Sequence, residues 1–183
     1  MKILAVDLAT FSGVAFGRPT EAPTTWTVDF GQWKDHDLRL SQVLRWMRHM
    51  HSRLKPDLLV VESAVGGHDA NALLIGMVAC LRAQAKDLGI RTVAYPVQSV
   101  RKHFIGKHMT AKDFPHLDQK AAKKAIKGIV FARCRALGWD VQSLDAADAA
   151  ALWSFSCGQE NKAHFLTDLP QGLFMKAKNA KAN

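Results

Sequence analysis

The sequence predicts an α/β fold: a mixed five-stranded sheet whose first three strands are antiparallel, with helices on both faces. Three features lead there. Short strand-like runs crowd the first 33 residues. Two further apolar runs, LLVVES and IRTVAY, are too short for helices and lie between long segments of helical periodicity. The order β, β, β, α, β, α, β, α, α then asks for a hairpin-connected start followed by right-handed crossovers.

Residues 2–8, KILAVDL, and 12–17, SGVAFG, are separated by a turn, and 25–33, TWTVDFGQW, alternates in character, so the first three strands form a meander. DLRLSQVLRWMRHMHSRL follows, with Leu40, Val43, Leu44, Met47, Met50 and Leu54 at i, i+3, i+4, i+7 spacing; this is an amphipathic helix, ended by Lys55-Pro56-Asp57. LLVVES has the continuous apolar character of a central parallel strand and stops at Glu62, before a loop at Gly66-Gly67. Residues 69–88 form a second helix, apolar on most faces (Ala70, Leu73, Leu74, Gly76, Met77, Ala79, Cys80, Leu81) and stopped by Gly89. So broad an apolar surface implies cover from the sheet and from a second subunit. IRTVAY is the fifth strand. Residues 96–116 are loop-rich with a helical piece at VRKHFI, 118–137 form a strongly basic helix ended by Gly138, and the last helix runs from Leu144 to Phe155. No repeat or linker divides the chain, so residues 1–160 form one domain, and 161–183, ending FMKAKNAKAN, form a basic extension expected to be partly disordered.

Composition narrows the partners. The chain of 183 residues is 48% hydrophobic, enough for one packed interior, and carries 25 Lys and Arg against 16 Asp and Glu, a formal charge of +9 with a pI of about 9.7. That excess favours a polyanion. No stretch is apolar for the roughly 18 residues that a membrane span needs, and MKILAVDLATFSG fits no signal peptide. Cys80, Cys134 and Cys157 are far apart and without a CxxC zinc pattern, so a reducing cytoplasmic setting is expected. The tryptophans Trp26, Trp33, Trp46, Trp139 and Trp153 read as packing residues rather than base-stacking platforms.

Ligands of open α/β sheets gather at the carboxyl ends of the strands. Asp7 lies near the end of the first strand and Glu62 ends the fourth; if those strands are neighbours, their carboxylates meet. Asp145 and Asp148 in LDAADAAALW are at i and i+3 and share one face of the last helix. Each has an ordinary alternative, since acids are common at helix starts. Together, four carboxylates around one volume repel unless cations neutralise them, and hard divalent ions such as Mg²⁺ or Mn²⁺ suit oxygen ligands. Two such ions roughly 3.5–4 Å apart can activate water and stabilise a leaving oxygen in phosphodiester cleavage.

MKILAVDLATFSGVAFG, LLVVESA and LDAADAAALW resemble the three acidic motifs of the RuvC-like Holliday junction resolvases of the ribonuclease H-like superfamily, in particular its divergent phage and prophage members. The resemblance spans residues 1–157 and includes YPVQSVRKHFIG before the basic helix. It implies a ribonuclease H-like nuclease domain and a homodimeric endonuclease, dependent on two Mg²⁺ per site, that makes paired nicks in four-way DNA junctions. It also implies that Asp7, Glu62, Asp145 and Asp148 are the metal-binding catalytic carboxylates, and that Arg101 and Lys120 stand where the family has lysines near the site. Leu8-Ala9-Thr10 replaces the family's usual turn after the first aspartate, and Val65 stands where many members carry an aromatic.

From Arg101 to Arg135 there are ten basic residues against Asp113 and Asp118, which is +8 of the chain's +9. Lys120, Lys123, Lys124 and Lys127 form one helical stripe; with Arg101, Lys102 and Lys107 they are candidate contacts to a DNA backbone, although a lysine stripe can equally be a solvated face. His103, His108 and His116 read as surface residues, and Lys107 lacks the glycine-rich loop of a phosphate-binding motif. Rival readings are a nuclease for RNA/DNA hybrids or flaps and a non-catalytic nucleic-acid binder. An actin-like ATPase, suggested by DLATFSG, would need about twice this length and further glycine-rich phosphate loops.

Overall fold

A computed structural model describes residues 1–63 and 72–168, with side chains as far as residue 161. The strands are β1 (Ile3–Asp7), β2 (Phe11–Gly17), β3 (Thr24–Asp29), β4 (Leu58–Glu62) and β5 (Arg91–Tyr95). The helices are α1 (His36–Leu54), α2 (Ala72–Asp87), α3 (Val97–Ile105), α4 (Gln119–Ala136) and α5 (Leu144–Asp168), with a short 3-10 turn at Ala111–Asp113. The sheet order is β3-β2-β1-β4-β5; β1 pairs antiparallel with β2 and β2 with β3, whereas β1–β4 and β4–β5 are parallel. Both the mixed sheet and its antiparallel start agree with the sequence reading.

Alternation along the strands sorts two cores. Ile3, Ala5, Ala15, Leu58 and Val60 face α3, α4 and α5, while Leu4, Val6, Val14, Leu59 and Val61 face α1 and α2. The same period of two carries Asp7 and Glu62, the next residues in phase, onto the α5 face. Each tryptophan packs in or against one of these cores, Trp153 fully buried and the others partly.

α5 lies across the sheet almost sealed from solvent: Ala146, Ala147, Ala149, Ala150, Ala151 and Leu152 are buried. Ser143 caps its start, the hydroxyl accepting from the Ala146 N–H at 3.0 Å. The approach is closest at Gly13, where an added Cβ would stand 1.8 Å from the Asp145 carbonyl oxygen. Only glycine lets the strand backbone and the helix start meet there. At the other end, Arg91 of β5 pairs with the largely buried Glu160 at 2.5 Å.

Two expected boundaries shift. β3 ends at Asp29 instead of Trp33, because the Asp29 carboxylate accepts the Gly31 N–H at 2.6 Å and turns the chain. α5 runs on past Phe155 to Asp168. Gly158 within it leaves room for the His103 ring, 3.3 Å from where its Cβ would be. α2 begins at Ala72; the expected start at 69, the Gly66-Gly67 loop and Val65 fall outside the described residues. α2 buries Met77, Leu81, Gln84 and Ala85 and leaves Ile75 43% exposed, so the sheet side of its broad apolar surface is covered and Ile75 faces outward. No helix of the described residues is long and apolar enough to cross a membrane.

Candidate active site

β1 and β4 are parallel neighbours in register through Val6 and Val61, so Asp7 and Glu62 end adjacent strands side by side. Asp7 is also opposite Gly13, and Gly13 carries the backbone of Asp145. That contact sets the first turn of α5, and with it Asp145 and Asp148, over the same strand ends. The turn after Asp7 is held by Ser12, fully buried, whose hydroxyl donates to the Ala9 carbonyl at 2.8 Å and accepts the Ala9 N–H at 3.0 Å.

A lysine closes the cluster. The Lys127 ammonium of α4 donates to Asp145 Oδ1 at 2.7 Å and lies 3.0 Å from Asp148 Oδ2 and 3.8 Å from Asp7 Oδ2. Arg101 of α3 contributes a second positive charge, felt by Asp7, Glu62 and Asp148, and its Nε is buried without a hydrogen-bond partner. Four acids thus face two cations. Burial first, then the neighbouring Asp148 and Asp145, lifts Asp7 to about 6 against the partial relief of Lys127 and Arg101. Burial, then Asp7 and Asp148, lifts Glu62 to about 8. Asp148 is also raised, by desolvation, despite Lys127. The same acids push the Lys127 ammonium above the usual lysine range, against the opposing effect of its own burial.

Among the described residues, no three His, Cys, Asp or Glu side chains are gathered at metal-binding spacing. The acids are disposed around the lysine nitrogen instead. The chemistry of the donor set still fits a hard divalent cation: the ligands are carboxylate oxygens, and their negative charge exceeds what Lys127 and Arg101 offset. Glu62 also borders a cavity of about 340 Å³ on the α2 side, lined with Ser63, Ile75, Val78, Ala79, Arg82 and Ala94.

The structure brings together Asp7, Glu62, Asp145, Asp148 and Arg101, as the sequence suggested. The lysines sort differently. Lys120, expected near the acids, is exposed on the first turn of α4, and Lys127, expected on the backbone-contacting stripe, holds the carboxylates. Both lie on one helix face, but only the end nearer α5 reaches the site. Lys102, Lys107, Lys123 and Lys124 are exposed outside it. The buried Cys134 and Cys157 thiols, pushed up to about 12 chiefly by burial, take no part in such chemistry.

Two residues were not singled out from sequence. Gly13 sets the height of α5 over the strands. Phe11, 58% exposed, stands two residues before Gly13 on the same sheet face, at the edge where the acids gather.

An antiparallel three-strand meander extended by two parallel strands, with a buried C-terminal helix laid over the ends of β1 and β4, defines the ribonuclease H-like fold in its RuvC form. Among solved structures the chain is similar to Thermus thermophilus RuvC, with a TM-score of 0.60 and 16% identity over 85% of this chain and 92% of that one. It is similar to the same protein in complex with a Holliday junction substrate at a TM-score of 0.62 and 15% identity, over 85% of this chain and 91% of that one. No protein-family model and no curated protein sequence matches it.

Proposed function

We propose that this protein is a divalent-metal-dependent endonuclease acting on branched DNA, and that its substrate is the four-way junction. The observation that carries this reading is the convergence of Asp7, Glu62, Asp145 and Asp148 at one sheet edge, beside two cations and a basic helix. Mg²⁺, or Mn²⁺ in its place, would be held by these carboxylates, two ions per site, and would supply an activated water and charge neutralisation at phosphorus. The chain's own groups do the rest. Asp7 and Glu62, fixed on adjacent strands, set the spacing of the donors. Asp145 and Asp148 close the site from α5. Arg101, whose charge is felt by Asp7, Glu62 and Asp148, would offset charge that develops at phosphorus.

Exposed Lys102, Lys107, Lys120, Lys123 and Lys124 extend this positive surface for backbone contact, and Phe11 offers a face on which an unpaired base can stack. The exposed Ile75 side of α2 is the surface on which we place the second subunit of a homodimer; two sites acting together would give paired nicks. A cytoplasmic setting suits a DNA substrate and free cysteines.

The test is cleavage of a synthetic mobile four-way junction against a flap, an RNA/DNA hybrid and a linear duplex of the same arms. Preferential Mg²⁺-dependent nicking of the junction is expected. Preference for the hybrid or the flap would reassign the substrate within the same chemistry, and no cleavage of any of them would leave the protein a nucleic-acid binder.

A further inference from the structure

Lys127 is more than one lysine of a stripe. Its nitrogen touches Asp145 and Asp148 and approaches Asp7, occupying the centre of the volume where the acids converge. A divalent cation placed among the same oxygens would stand within a few ångströms of the ammonium, in a partly buried setting where like charges repel strongly. Both cannot reside there. Lysine also has the means to leave: its four-carbon stem is flexible, and the Lys127 side chain is 30% exposed. Once outside, it lies in line with Lys120, Lys123 and Lys124 on the same face of α4, the surface proposed above for backbone contact.

We propose that Lys127 is a resident counter-ion that a divalent metal must displace, and that the displaced ammonium then becomes a contact for DNA phosphate. This rests on the nuclease reading given above. It makes two events reinforce one another. Metal binding releases a cation for the DNA, and a phosphate that captures Lys127 leaves the acids short of positive charge and so favours metal. Before metal arrives, the lysine keeps the crowded acids together and the first turn of α5 in place.

The direct test is Mn²⁺ titration of the full chain without DNA, comparing wild type with Lys127→Met and Lys127→Arg. Lys127→Met should bind Mn²⁺ at least tenfold more tightly, and Lys127→Arg no more tightly than wild type. The metal-free Lys127→Met protein should melt at a lower temperature than wild type and recover with Mn²⁺. The second measurement uses wild type alone: acetylation of Lys127, read by mass spectrometry, should be slow without metal and rise severalfold with saturating Mn²⁺, while Lys123 labels equally in both. Equal Mn²⁺ affinity of wild type and Lys127→Met, or Lys127 labelling unmoved by saturating metal, overturns the displacement while the nuclease reading stands. Absence of Mn²⁺ binding in every variant overturns both.

Discussion

Glu62 and Asp7 carry much electrostatic tension in the folded state, because both are largely withdrawn from water and share their surroundings with two more acids. Each holds its proton more tightly when folded than when unfolded, so ionising it costs stability as pH rises. For Glu62 the cost begins near its unfolded value of 4.5 and is complete by about 8. A tenfold change in proton affinity is worth about 1.4 kcal/mol, so Glu62→Gln should stabilise the metal-free protein at pH 8 by on the order of 1–3 kcal/mol and change little at pH 4. Thermal melts in EDTA at the two pH values check this; a variant equally destabilised at both would mean Glu62 is not under strain. The same groups must lose their protons to bind metal, so Mn²⁺ affinity should climb between pH 6 and 8. At Asp148, Asp148→Asn keeps the shape of α5 but removes a charged donor. It should bind junction DNA at near wild-type affinity and lose cleavage by about 100-fold or more. Phe11→Ala should weaken junction binding by roughly 1–3 kcal/mol if a base stacks there, and leave binding to a fully paired duplex unchanged.

At the scale of elements, the site depends on how closely α5 can lie over β2. A methyl at Gly13 would overlap the Asp145 carbonyl, so Gly13→Ala must lift the start of α5. It should cost about 1–3 kcal/mol of stability, as overpacking does, and should abolish cleavage while the far-ultraviolet circular dichroism stays unchanged. Wild-type activity in this variant would break the link between that contact and the acids. On α4 the exposed Lys123 and Lys124 are separable from the site. Replacing both with alanine should flatten the salt dependence of DNA binding by about 1–2 in the log–log slope and leave metal affinity alone.

The pattern of elements also shows what could be seen in advance. The mixed sheet and its antiparallel start were legible, because a meander followed by βαβ crossovers leaves few arrangements, and Asp7 could be expected to meet Glu62 only if their strands were neighbours, which the strand order supplies. The acids of α5 were legible as a pair, since their spacing puts them on one face. Lys127 was not: helical spacing groups it with Lys120, Lys123 and Lys124, and only the packing of α4 against α5 decides which member turns inward. Gly13 was not visible either, because a contact between two backbones leaves no periodicity behind.

For the whole molecule, the distribution of charge matters as much as its sum. Of the basic residues between Arg101 and Arg135, Lys127 and Arg101 are committed to the acids and the remainder is exposed, an excess of positive charge that on the proposed reading would favour approach of a polyanion. Paired nicking further requires two such sites in one particle, and sedimentation should show a dimer that Ile75→Asp on α2 converts to monomer without unfolding it. A wild-type monomer, with and without DNA, would restrict the protein to single nicks. The central claim, that the four carboxylates bind metal to cut branched DNA, is tested most directly by cleavage of a mobile four-way junction in Mg²⁺, with linear duplex as control and Asp148→Asn alongside. Nicks are expected in the junction with wild type, none in the duplex or in EDTA, and a rate lower by about 100-fold or more with the variant; cleavage by Asp148→Asn at the wild-type rate would contradict this.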